Sequence, residues 1–192
     1  MKVELIDKMG TDLSVVNAAR VSYAKEKEEF EESDERLIRY LAEHKHWSPF
    51  AHTFLSFRIK APVFVARQLV KHQVGLVWNE ESRRYITYDP EIYNIRKWRK
   101  KPDSSKQGSG EQILISTELN LEVNEHLQQG LSLYNRLLLE NVAPEQARAV
   151  LPQSMYTNWI WSGTLYAFAR VCELRLDEHS QKETQEIARQ LD

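Results

Sequence analysis

The stretch "AHTFLSFRIKAPVFVARQLVKHQ", Ala51 to Gln73, carries two periodicities in sequence. Phe54, Ser56 and Arg58 alternate with Leu55, Phe57 and Ile59, the period of two that marks a strand with one buried face. Pro62 then stands where helices begin, and "VFVARQLVKHQ" continues with helical spacing. A strand running directly into a helix, in a chain that repeats the arrangement later, predicts an α+β fold. The repeat is "SMYTNWIWSGTLYAFARVCELRL", Ser154 to Leu176, an apolar and aromatic run read as a buried strand entering a buried helix.

The flanks fit that class. "VELID" reads as a first strand, followed by a helix from Thr11 or Asp12 with Leu13, Val16 and Ala19 on one side. "EKEEFEESDE" is expected to be a solvated loop ending in a cap at Ser33, before "DERLIRYLAEH" with Leu37, Ile38 and Leu41 on its apolar face. "KKPDSSKQGSGEQ" has the composition of a flexible surface loop around residues 101–112. A long amphipathic helix follows, then a short one opened by Pro144, and the C-terminal tail is a further amphipathic helix. The expectation is one domain spanning residues 1–192, with a central, mostly antiparallel sheet flanked by helices.

Composition removes several classes of function. The 192 residues are 42% hydrophobic and 28% charged, with a net charge of −2. A protein that binds nucleic acid without regard to sequence neutralises many phosphates and carries a positive excess, absent here. No apolar run approaches the ~20 residues of a membrane span, and the first residues lack the apolar core of a signal peptide. One cysteine, Cys172, permits no internal disulfide. The expected setting is the cytoplasm, with no nucleic acid and no membrane as partner.

The chemistry-bearing residues concentrate in "KHQVGLVWNEESRRY", Lys71 to Tyr85. Further arginines stand at 148, 170 and 175. A lone arginine ordinarily pairs with a carboxylate, and Arg175 has Glu173 and Asp177 beside it. Several arginines in one small chain instead suit a phosphate-bearing ligand, which the planar guanidinium grips with two parallel hydrogen bonds. Arg67 and Lys71, four apart, are expected to share a helical face. Six histidines raise the question of a metal, but no helical pair with an acid and no cysteine cluster supports one, so none is assigned. Cys172 sits at an apolar helical position and reads as core rather than as a reactive thiol. Trp47, Trp78, Trp159 and Trp161 suit either a core or a stacking platform.

Taken together, these segments resemble the flavin-dependent thymidylate synthases. "MGTDLSVVNAARVS", "HWSPFAHTFLSFRIKAPVFVARQ", "NEESRRY", "ARAVLPQSMYT" and "LRLDEHSQ" are similar to family segments in the same order along nearly the whole chain. The resemblance implies reductive methylation of dUMP to dTMP, with FAD as cofactor, NADPH and methylenetetrahydrofolate as co-substrates, and a homotetramer whose active sites are shared between chains. It implies dUMP-binding roles for Gln68, Lys71, Arg84, Arg148 and Arg175, and a nucleotide-wrapping loop of Glu80, Glu81, Ser82 and Arg83. It assigns catalysis to Arg175 and Ser82, with Arg175 favouring loss of the uracil N3 proton. Ser48, Lys71, His72, Gln73, Asn79, Glu80, Thr164, Tyr166, Arg170 and His179 match flavin-facing positions.

The chain departs from the family pattern in places. The signature opens Lys71-His72-Gln73 where the family has Arg-His-Arg, and it reaches Asn79 one residue late. Gly75 is the expected place for the extra residue, and Trp78 is expected to stack on a ligand ring. Thr164, Tyr166 and Arg170 replace residues common in the family. The chain is compact, similar in that respect to forms carried by bacteriophages. Two rival readings follow: a flavin-dependent pyrimidine hydroxymethylase or dCMP-acting homologue, and a nucleotide-binding protein without catalysis.

Overall fold

The structure is a computed structural model and describes residues 1–103 and 107–192. Its centre is a four-stranded sheet ordered β1-β2-β6-β3, with β1 at Lys2–Met9, β2 at Phe54–Pro62, β3 at Leu76–Glu80 and β6 at Tyr156–Thr164. Every pairing in it is antiparallel. Two-residue strands β4, Trp98–Arg99, and β5, Gln112–Ile113, pair separately. The fold class is α+β, as the alternation at Phe54–Ile59 predicts.

Side-chain alternation sorts the sheet into two faces. Phe57 opposes Trp161, Ile59 opposes Trp159 and Ala61 opposes Thr157, all buried on one face. Onto this face pack helices α4, Val63–Leu69, α7, Leu165–Arg175, and α8, Lys182–Leu191. They contribute Val65, Ala66 and Leu69, then Phe168 and Val171, then Ile187. Trp159 and Trp161, 2% and 0% exposed, are the largest members of this core. Burial of one such ring is worth on the order of 4–5 kcal/mol in transfer free energy. The opposite face carries Phe54, Arg58 and Val77, which are exposed.

The remaining helices are α1, Asp12–Arg20, α2, Glu32–Glu43, α3, Trp47–Phe50, α5, Thr117–Leu139, and α6, Pro144–Ala147. α5 is capped by the Ser116 hydroxyl, which accepts from the backbone N–H of Leu119. Three expectations change. The cap of α2 is Glu31, not Ser33, which lies inside the helix. Asp34 decides this, because its buried carboxylate accepts from the Glu31 N–H, Arg20 and Lys27 and so fixes the first turn three residues back. Part of the expected solvated loop is therefore helix. α4 stops at Leu69, so Lys71 leaves the helical face it was expected to share with Arg67. Of the loop expected at 101–112, residues 104–106 lie outside the described residues. No described helix is long and apolar enough to cross a membrane.

Candidate active site

The stretch from Lys71 to Glu80 is shaped by two glycines. After α4 the chain turns through Gly75, whose φ of +76° suits a residue without a Cβ. The turn then lies directly on Gly163 of β6, where a Cβ would sit 2.1 Å from the Gly75 carbonyl oxygen. That carbonyl accepts from the N–H of Thr164 at 3.1 Å. Gly75, the residue expected to take up the longer spacing to Asn79, thus stands in a left-handed turn.

The turn forms one wall of a cleft of about 600 Å³. Lys71, His72 and Gln73 line it from the turn, and Thr164, Tyr166 and Arg170 line it from the end of β6 and the start of α7. Six of the residues matched to flavin-facing positions therefore meet in one place, though they come from segments ninety residues apart. Trp47, 57% exposed, sits 6.1 Å from the Tyr166 ring and adds an aromatic wall, the one of the four tryptophans weighed as stacking platforms that lines this cleft. Thr164 also caps α7 by accepting from the Ala167 N–H at 3.1 Å. Arg170 is engaged by Glu173. Ser48 is exposed on α3, and His179 is exposed beyond α7, its N–H donating to Asp177. Neither lines the cleft.

His72 receives a hydrogen bond at Nε2 from the Nε of Arg175, at 2.8 Å. Burial, then the adjacent guanidinium, lower the His72 pKa. Arg175 pairs with neither Asp177 nor Glu173, the partners its neighbourhood in sequence offered.

A second, smaller cavity of about 230 Å³ lies past the end of β3. Glu80 lines it from the end of β3, Glu81 and Arg83 from the segment that follows, and Arg148 from the short 3-10 turn after α6. Gln153 and Thr157, not singled out from the sequence, complete the wall. Arg83 is 5% exposed, yet among the described residues no carboxylate lies within 4.0 Å of it. One of its terminal nitrogens donates to the Tyr88 carbonyl, its guanidinium carbon lies 4.6 Å from the centre of the Tyr88 ring, and its Nε has no partner. Arg148 is exposed and spends only Nε, on the Glu145 carbonyl. Glu81 accepts from Asn158 at 2.8 Å. Ser82 accepts from the Nε of Arg84 at 3.2 Å, and both lie on the same segment without lining the cavity.

The residues matched to nucleotide binding therefore fall into two groups. Glu80, Glu81, Arg83 and Arg148 surround the smaller cavity. Gln68 accepts from the buried Thr184 hydroxyl between α4 and α8, Lys71 lines the larger cleft, and Arg175 stands with His72. Asn79 pairs with Ile160 in the sheet. Trp78, expected to stack on a ligand ring, instead has a partner within the chain: register places it opposite Trp161, and one face stacks on Trp159 at 4.3 Å and 19°.

Comparison with known proteins is consistent along the chain. The family model described as thymidylate synthase complementing protein matches residues 4–192. A flavin-dependent thymidylate synthase from Kosmotoga olearia is 40% identical over 190 residues, 97% of this chain and 81% of its own. One from Thermus thermophilus is 39% identical over 187 residues, covering 97% of this chain and 68% of its own. Among solved structures, a UMP/dUMP methylase from Streptomyces cacaoi bound with 5-Br dUMP superposes with a TM-score of 0.84. It shares 33% identity and covers 99% of this chain and 87% of its own. On its matched length, its relatives and its fold, this chain belongs to the flavin-dependent thymidylate synthase family.

Proposed function

We propose that the chain is a flavin-dependent thymidylate synthase that methylates dUMP reductively to dTMP. The observation that carries the nucleotide reading is Arg83. A guanidinium taken out of water without a carboxylate is costly unless an anion arrives to meet it. Arg83 has an orphaned Nε beside a cavity that Arg148 also lines. The nucleotide phosphate is the anion of the right size and charge.

The larger cleft suits the flavin of FAD. Its volume lies in the range of cofactor pockets. Trp47, Leu76, Ala167 and Leu174 give it apolar walls, and Lys71 supplies a cation with no partner of its own among the described residues. Bound there, the flavin reduced by NADPH supplies the hydride, while methylenetetrahydrofolate supplies the carbon. The chain itself binds and orients, because such cofactors carry the difficult bond changes. Arg175, with only Nε used by His72, keeps its terminal nitrogens for the base, where a guanidinium stabilises the anion formed on loss of the N3 proton. Ser82, held against Arg84, belongs to the loop that closes on the nucleotide. The two separate groups of nucleotide residues fit a homotetramer in which Gln68 and Arg175 of one chain complete the cavity of another.

The test is product formation. Enzyme supplied with FAD, NADPH, methylenetetrahydrofolate and dUMP yields dTMP by mass, and Arg83→Met weakens dUMP binding by ~2–5 kcal/mol. A hydroxymethylated product, or dCMP as the preferred substrate, would replace this reading with the corresponding rival. UMP belongs in the same assay, since the Streptomyces neighbour is named for both UMP and dUMP.

A further inference from the structure

Glu80 and the two arginines line one cavity, yet they do not pair. Among the described residues no carboxylate lies within 4.0 Å of Arg83 or Arg148. Left free, a carboxylate at the rim of so small a cavity gains by swinging onto a guanidinium. Glu80 is held back at both oxygens. Oε1 accepts from the Thr157 hydroxyl at 2.7 Å, and Oε2 accepts from the Trp78 indole N–H at 3.1 Å.

Both donors are fixed by the sheet. Thr157 is 2% exposed on β6. Trp78 lies flat on Trp159 and edge-on to Trp161 at 5.6 Å, so its N–H has one direction. Trp78 and Glu80 are two apart on β3 and share a face, as the strand period requires.

We propose that Trp78, with Thr157, is a positioning residue that keeps Glu80 off Arg83 and Arg148, leaving both guanidiniums free for the anionic group of the ligand. The inference rests on the nucleotide reading above. It makes anion affinity depend on an indole N–H that never touches the anion.

The experiment measures binding of dUMP and of inorganic phosphate, which has no base to contact Glu80. Trp78→Phe removes the indole N–H while keeping an aromatic ring against Trp159, and Thr157→Val removes the hydroxyl at nearly constant shape. Each is expected to weaken phosphate and dUMP binding about threefold, and the pair together about tenfold or more, as Glu80 is released onto the arginines. The deciding variant adds Glu80→Gln to the pair. A neutral amide cannot hold the guanidiniums as a carboxylate does, so phosphate affinity returns to the wild-type value. A merely structural role for Trp78 gives no such recovery. Unchanged phosphate binding in the pair, or binding that stays weak after Glu80→Gln, overturns the inference while dUMP binding by wild type sustains the nucleotide reading. Failure of wild type to bind dUMP overturns both.

Discussion

The Nε of Arg175, the last residue of α7, donates to the Nε2 of His72 in the turn after α4, at 2.8 Å. An imidazole nitrogen accepts only without its own proton, so His72 is neutral here with the proton on Nδ1. Burial and the neighbouring positive charge both disfavour its cationic form.

This sets a sign for pH dependence. In the window below the ordinary histidine pKa of about 6.5, the unfolded chain binds a proton at His72 that the folded chain refuses. Stability therefore rises with pH through that window, is complete above it, and is lost as pH falls. Urea unfolding of the flavin-free protein between about pH 5 and 7.5 measures it. His72→Gln keeps an acceptor for Arg175 without titrating, so its curve has a shallower slope. Equal slopes would show that His72 titrates as freely folded as unfolded.

Cys172 lies 8% exposed in α7, and burial pushes its thiol up to about 11. It supplies no thiolate at neutral pH and no open face to a substrate. Cys172→Ala is expected to keep turnover, with a packing cost of about 1 kcal/mol. The native protein resists alkylation at this site until unfolded. Loss of all activity in a folded variant would make the thiol part of the chemistry.

The close approach of Gly75 to Gly163 predicts an order of severity. At Gly163 an added Cβ meets a backbone carbonyl at 2.1 Å, which no side-chain rotation relieves. At Gly75 it meets Ala167 at 3.1 Å and must hold a φ of +76°. Gly75→Ala is expected to cost about 1–2 kcal/mol of stability, and Gly163→Ala over ~3 kcal/mol, by parting the turn from β6. Denaturation midpoints decide it. Gly163→Ala should also lose flavin, because Lys71–Gln73 leave the cleft wall.

What was legible in the sequence follows the range of the interactions. The period of two at Phe54–Ile59 and the apolar run at Tyr156–Thr164 report local geometry, and both strands stand where they were expected. The lysine–histidine–glutamine turn and Thr164–Arg170 share a cleft, which only the resemblance linked. Ser33 failed as a cap because Asp34 is held by Arg20 and Lys27 from outside its helix. The stacking of Trp78 on Trp159 was not legible, because β3 register, invisible along one strand, turns it there. The hydrogen bond from Arg175 to His72 spans 103 residues and has no local signal at all.

The last prediction concerns how tightly the cleft proposed for the flavin holds it. Lys71 and Gln73 are exposed, line the cleft, and stand where the family has arginines. Lysine keeps a charge without the two-pronged geometry of arginine, and glutamine has no charge. The other cation in the cleft, Arg170, is already engaged by Glu173. A hydrogen bond from a charged donor is worth ~1.5–3 kcal/mol, and the cleft does without those two arginines would make. A stacked tryptophan would return about 1 kcal/mol, but Trp78 is committed to Trp159. Trp47 and Tyr166 remain as aromatic walls, and their contribution does not replace two guanidiniums. Wild type is therefore expected to purify partly without flavin and to lose more on dialysis, read from the ratio of flavin to protein absorbance. The turn aims residues 71 and 73 into the cleft, so Lys71→Arg with Gln73→Arg should tighten flavin binding by at least ~10-fold. Stoichiometric flavin in dialysed wild type, with no gain in the double variant, would mean that Trp47, Thr164 and Tyr166 hold the ring by interactions the family does not use.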